Sequence, residues 1–154
     1  MEAIKYALWL DSRRAAAFFS EKVLLVEGPT ETSLLAYMTD QGMIPALKGV
    51  TVIDTIGKFN IHRFMNLFGE LGIRHYVLYD GDNGRHAPID STISAAKNSY
   101  TGGIDTFPKD LEDFLGIPAA SKPHRKPQHV MHKVSAGAVN LSSLAAKVGA
   151  LVSS

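Results

Sequence analysis

The sequence predicts an α/β fold: a small parallel sheet of about four strands flanked by helices. Three observations carry this reading. Short apolar, β-branched runs recur along the chain. Amphipathic stretches of about ten residues separate them, as in βαβ units. The run at 23–26 is short, apolar and β-branched at both ends, as strands covered on both faces are.

Element by element, residues 4–18 read as a helix, with Ile4, Ala7, Leu8, Ala15 and Phe18 on its apolar side. Val23–Val26 is the first strand and ends at Glu27. Gly28-Pro29-Thr30 turns the chain, with Thr30 placed to cap a helix from Glu31 to about Asp40 that Gly42 stops. Val50–Ile53 is the second strand and ends at Asp54. After Gly57-Lys58 comes a helix over about 61–71, closed by Gly72. His75–Tyr79 is the third strand and ends at Asp80. Gly81 is read as the residue that lets the backbone bend before Asp82. Later signals are weaker. They give a helix over 88–100, a break at Gly102-Gly103 and a fourth, edge strand at 104–107. A short helix over 108–115, an exposed proline-rich basic loop over 118–127 and a helical stripe over 141–151 complete the chain.

The chain has 154 residues, 45% of them hydrophobic and 20% charged, with net charge +1. That fits one domain over 1–154, with a core at about 20–117 and a basic loop plus terminal helix over 118–154. Absent cysteines exclude disulfides and thiolate zinc sites. The near-neutral charge does not by itself announce a nucleic-acid binder. The start has no basic segment followed by a long apolar run, so no signal peptide is expected. With no long apolar stretch, no membrane span is expected either, and the simplest placement is the cytoplasm. The chain reads as a piece of something longer or a standalone relative.

Three successive strands end in acids: Glu27, Asp54 and Asp80. In an open parallel sheet the strand C-termini share one edge, where ligands bind. Glu31 lies one helical turn after Glu27, and Asp82 two residues after Asp80. Crowded carboxylates repel each other, and a divalent cation removes the conflict. Mg²⁺ or Mn²⁺ held this way suits phosphoryl transfer or phosphodiester cleavage. Each acid alone has a plainer reading. Asp54 fits a cap or turn residue, Glu31 a partner for the helix dipole, and Asp80-Gly81-Asp82 a turn. Two acid pairs on two strand-turn units are the harder pattern to dismiss.

Val23-Leu24-Leu25-Val26-Glu27-Gly28-Pro29-Thr30-Glu31 resembles the glutamate motif of Toprim domains, and Tyr79-Asp80-Gly81-Asp82 resembles their paired aspartates. Phe18-Phe19 before the first strand, Leu34-Leu35 and Gly57-Lys58 look most like the Toprim part of OLD (overcoming lysogenization defect) nucleases. Asp110-Leu111-Glu112 resembles the later acidic motif, and Lys126-Pro127 the lysine motif. The resemblance implies a Toprim fold and a two-metal DNA endonuclease using Mg²⁺ or Mn²⁺. Glu27, Glu31, Asp80, Asp82 and Glu112 would be metal ligands. Glu27, Asp80, Asp82 and Lys126 would be catalytic, with Lys126 stabilising charge on the phosphate. Plainer readings stand beside two of these: Glu112 as a solvent-facing helix residue and Lys126 as a solvated loop lysine. Lys58 contacts a phosphate or caps a turn.

OLD proteins carry an ABC-type ATPase before the Toprim part, and no Gly-Lys-Ser/Thr phosphate loop occurs here. The implied partners are therefore DNA and an ATPase domain or subunit, with a homodimer as a further expectation. The cluster from Lys122 to Lys133, with Arg125 and Lys126, is read either as a phosphate grip or as an ordinary exposed segment. His129 and His132 are read as non-ligands. Two other classes stay open. One is a non-catalytic Toprim module that binds metal or a partner. The other is a phosphotransferase or receiver with Asp80 as nucleophile, which leaves Glu27 and Glu31 without a job.

Overall fold

The structure, a computed structural model, describes residues 12–154. The helix expected over 4–18 lies mostly outside them. Its described part is α1 (Ser12–Ala16), followed by a 3-10 turn at Ala17–Phe19. The strands are β1 (Lys22–Val26), β2 (Val50–Asp54), β3 (Arg74–Asp80) and β4 (Thr101–Phe107). They form one parallel sheet in the order β2-β1-β3-β4. The chain leaves β1 toward β2 on one side and later returns to pair β3 on the other. That reversal opens a crevice at the C-terminal ends of β1 and β3.

Both faces are covered because side chains alternate along each strand. Leu24 and Val26 of β1, with Tyr76 and Leu78 of β3, point to one face. There they meet α2 (Pro29–Asp40), α6 (Lys126–Ser135) and α7 (Ser142–Val152) through Leu34, Val130, Leu144 and Val148. Val23, Leu25, Val77 and Tyr79 point to the other face. They meet α3 (Ile61–Glu70) and α4 (Ala87–Ala95) through Ile61, Met65, Phe68 and Ile93. No helix among the described residues is long and apolar enough to cross a membrane.

Several expected boundaries move. Helix α2 begins at Pro29, so Thr30 is inside it and does not cap it. The Glu31 carboxylate does that work, accepting from Gly28 N at 3.1 Å. Helix α4 stops at Ala95, short of the expected end at 100. Asn98 redirects the chain there, donating to Met65 O and accepting from Tyr100 N. Gly102 and Gly103 do not break the chain but lie inside β4. A Cβ on Gly102 would sit 2.3 Å from the Tyr76 ring. Glycine is therefore required where an aromatic side chain covers the neighbouring strand. Helix α5 is only Leu111–Phe114, and its start is set by Asp110, which caps it by accepting from Asp113 N at 2.8 Å.

The largest correction concerns the expected loop over 118–127. Residues Pro123–Arg125 form a 3-10 turn, and α6 starts at Lys126. Pro127 sits in the first helical turn, where a missing N–H costs nothing. Val130 and Val134 then bury one face of α6. Proline marked a helix start here, and Lys126 is held on a helix rather than on a loop.

Candidate metal and phosphate cleft

The three acid-tipped strands end at one rim. Asp80 N donates to Glu27 Oε2 at 2.8 Å, joining residues 53 positions apart. Glu31 projects from the first turn of α2 beside them and is buried at 5% exposure. Glu27, Glu31, Asp80 and Lys126 all line one open cleft of about 610 Å³. The 3-10 turn at Pro123–Arg125 and the start of α6 also line it, through His124, Lys126 and Pro127.

Electrostatics in the cleft are strained. Burial pushes the Glu31 carboxyl up to about 7, and the Glu27 charge adds to the rise against the pull of Lys126. Burial likewise pushes Asp80 up to about 7; Lys126 opposes this, while Glu27 and Glu31 reinforce it. Glu27 is also raised by burial, against the Asp80 N–H that stabilises its charge. Lys126 is the local counter-charge. Its Nζ lies 2.8 Å from Glu112 Oε2 and 3.5 Å from Asp80 Oδ2. The Glu112 contact is ionic rather than a well-directed hydrogen bond. Burial would lower the Lys126 pKa, but Glu112 and Asp80 outweigh it and raise the value.

The expected ligand set therefore divides. Glu27, Glu31 and Asp80 share the cleft with Lys126, whereas Asp82 and Glu112 are not part of its lining. Glu112 is 6% exposed, which excludes the solvent-facing reading, and it is occupied by Lys126. Asp82 accepts from Lys58 Nζ at 3.1 Å. That lysine is buried at 3% exposure, donates to Asp80 O at 2.7 Å and pairs with Asp90 Oδ1 at 2.8 Å. It is a strut under the aspartate turn, not a turn cap. Its pairing with Asp90 had no signal in the sequence, because Asp90 lies on a different helix. Asp54 follows its plainer reading: Arg14 Nη2 holds Oδ1 at 2.6 Å, and Ile56 N donates to the same atom at 3.1 Å.

Gly81 has φ −77° and ψ −14°, an ordinary helical conformation, so it is not needed for bending. Asp82 and Asn83 carry the left-handed turn, each with φ +51°. The glycine is required for space: a Cβ there would lie 2.7 Å from Phe107 O and 2.9 Å from Pro108 O. His129 Nε2 donates to Pro118 O at 2.9 Å, tying α6 to the preceding segment.

Residues 18–82 match the family described as "Overcoming lysogenization defect protein-like, TOPRIM domain". That stretch is similar to an OLD-like Toprim domain. The match covers the glutamate motif, Gly57-Lys58 and both motif aspartates. It stops before Glu112 and Lys126. Among curated proteins, none matches the sequence. The family suggests nuclease-type chemistry and divalent metal binding, and the sheet has the parallel α/β form of the Toprim fold.

Among the described residues, no three Asp, Glu or His side chains stand in a ready-made ligating arrangement. The donor chemistry of the cleft nevertheless fits a hard divalent cation. Glu27, Glu31 and Asp80 are each raised by burial, and a cation would relieve that cost, whereas Asp54, which also lines the cleft, is paired with Arg14. The sign of the pH dependence follows. Binding needs Glu31 and Asp80 ionised, and both titrate near 7. Mn²⁺ affinity measured by calorimetry should rise between pH 6 and pH 8, by about tenfold for each of the two carboxyls. Affinity that is flat over this interval would show that these two carboxyls are not ligands.

Proposed function

We propose that this Toprim domain is a metal-dependent DNA endonuclease. The observation that carries the reading is the bond from Asp80 N to Glu27, which brings two acidic motifs into one cleft with Glu31 and Lys126. In this reading Glu27, Glu31 and Asp80 hold one Mg²⁺ or Mn²⁺. Asp82 and Glu112 complete a second site once released from Lys58 and Lys126. The metal supplies Lewis-acid polarisation of the phosphate and an activated water. The protein's own contribution is positional. Glu27 fixes the end of β3 through the Asp80 N–H. Asp80 Oδ1 accepts from Leu111 N at 3.0 Å, so the carboxylate is held against α5. Lys126 offers a preorganised cation to the phosphate as charge grows on it. DNA is the proposed substrate, and an ABC-type ATPase domain or subunit the proposed partner.

The test is nicking of supercoiled plasmid by the pure chain in Mg²⁺ or Mn²⁺. Outer-shell changes at metal sites typically cost about 10–100-fold, so loss of the ligand in Glu27→Ala should cost at least about 100-fold. Cleavage surviving in both Glu27→Ala and Asp80→Ala would remove this cleft from the chemistry.

A further inference from the structure

Two lips of different chemistry border the cleft. One is basic: His124 and Lys126 line it, with Lys122 and Arg125 exposed beside them. The other is the loop from β2 to α3, and it is apolar. Ile56 lines the cleft there and is 48% exposed. Its φ is +58°, a left-handed conformation that β-branched residues rarely adopt. The surroundings impose it. Thr55 N donates to Val26 O at 2.9 Å, and Gly57 N donates to Glu27 O at 2.8 Å. Arg14 clamps the Asp54 carboxylate that accepts from Ile56 N. A strained residue locked by its neighbours is a mark of function. Lys58 then turns inward, and Phe59 emerges at 61% exposure, edge-on to the His86 ring at 5.7 Å. Arg85, which precedes His86 in the chain, is exposed.

We infer that this loop is a base-contacting lip and that the DNA strand enters the cleft unpaired, with phosphates on the basic lip and base faces on Ile56 and Phe59. The inference rests on the nuclease reading. A duplex hides the faces of its bases by stacking them. An unpaired strand presents them, and they stack on exposed rings without regard to sequence while cations follow the phosphates. Ile56 lines the same cleft as the acids and the basic lip, and Phe59 stands exposed three residues further along that loop, outside the lining.

Anisotropy of a labelled oligonucleotide, single-stranded or annealed to its complement, tests the lip in Mg²⁺ and in the Glu27→Ala background, which prevents cleavage. Ile56→Gly removes the side chain from a backbone conformation that glycine adopts freely, and Phe59→Ala removes the ring. Together they should weaken single-strand binding by about tenfold, the scale of base–aromatic stacking, and leave duplex binding unchanged. Phe59→Trp should retain single-strand binding. Equal affinity for both forms, or single-strand binding untouched by the double variant, overturns the lip. If the parent still nicks plasmid in that case, the nuclease reading survives alone. No binding of either form overturns both.

Discussion

Asp80→Asn should abolish nicking and at the same time make the metal-free protein more stable at pH 8. The two effects have one cause. Asp80 is 7% exposed, and burial together with Glu27 and Glu31 pushes its carboxyl up to about 7. A carboxyl raised above its unfolded value contributes fully below that value, and the contribution is lost as pH climbs through about 7. At pH 8 the folded parent therefore carries a charge it holds poorly. Asparagine removes the charge, and its Oδ1 can still accept from Leu111 N. Lys126 loses its 3.5 Å contact with Asp80 but keeps Glu112 at 2.8 Å. A net gain of about 1 kcal/mol, or ~2–4 °C in Tm, is expected in EDTA for a chain of this size. At pH 5 the gain should be smaller, because the folded parent still holds its proton there and only the unfolded chain is ionised. Adding Mg²⁺ should then stabilise the parent and leave the variant unmoved, since only a chain that binds the ion gains from it. Thermal melts at the two pH values with and without metal check all of this. A variant less stable than the parent at pH 8 would sink the account of the cleft as charge-strained.

Gly81→Ala should damage both fold and activity, although alanine suits the local backbone angles. Three bonds seat the aspartate turn on the end of β4. Gly81 N donates to Phe107 O at 2.7 Å, Asp82 N to Lys109 O at 2.8 Å, and Asn83 N to Pro108 O at 3.0 Å. A new Cβ would press on Phe107 O and Pro108 O, backbone atoms with little room to move. Overpacking of this kind costs about 1–3 kcal/mol. The turn would lift and carry Asp80 with it, and a shift near 1 Å at a reacting site costs about 100-fold in rate. Gly84→Ala is the contrast. Its φ of +75° makes alanine strained, yet nothing lies within 4 Å of the added methyl. It should lower Tm without the activity loss. If Gly81→Ala melts and cleaves like the parent, the turn does not depend on contact with β4.

The sequence alone determined the sheet and the meeting of its acids. Runs such as Val23–Val26 and His75–Tyr79 bury both faces, so they are strands with helices on either side. Parallel strands share a C-terminal rim, so Glu27 and Asp80 had to approach each other. Those are rules of period and direction, and they act locally or by symmetry. Tertiary structure decided which acids face the cleft. Lys58 takes Asp82 and Asp90, and Lys126 takes Glu112, through ion pairs between segments whose spacing carries no pattern. It also decided that Gly81 and Gly102 are there for space: the atoms that exclude a Cβ, Phe107 O and the Tyr76 ring, arrive from neighbouring strands. A side chain's neighbours across a sheet are fixed only when the whole sheet has formed, and the charge balance of this cleft is set by those neighbours.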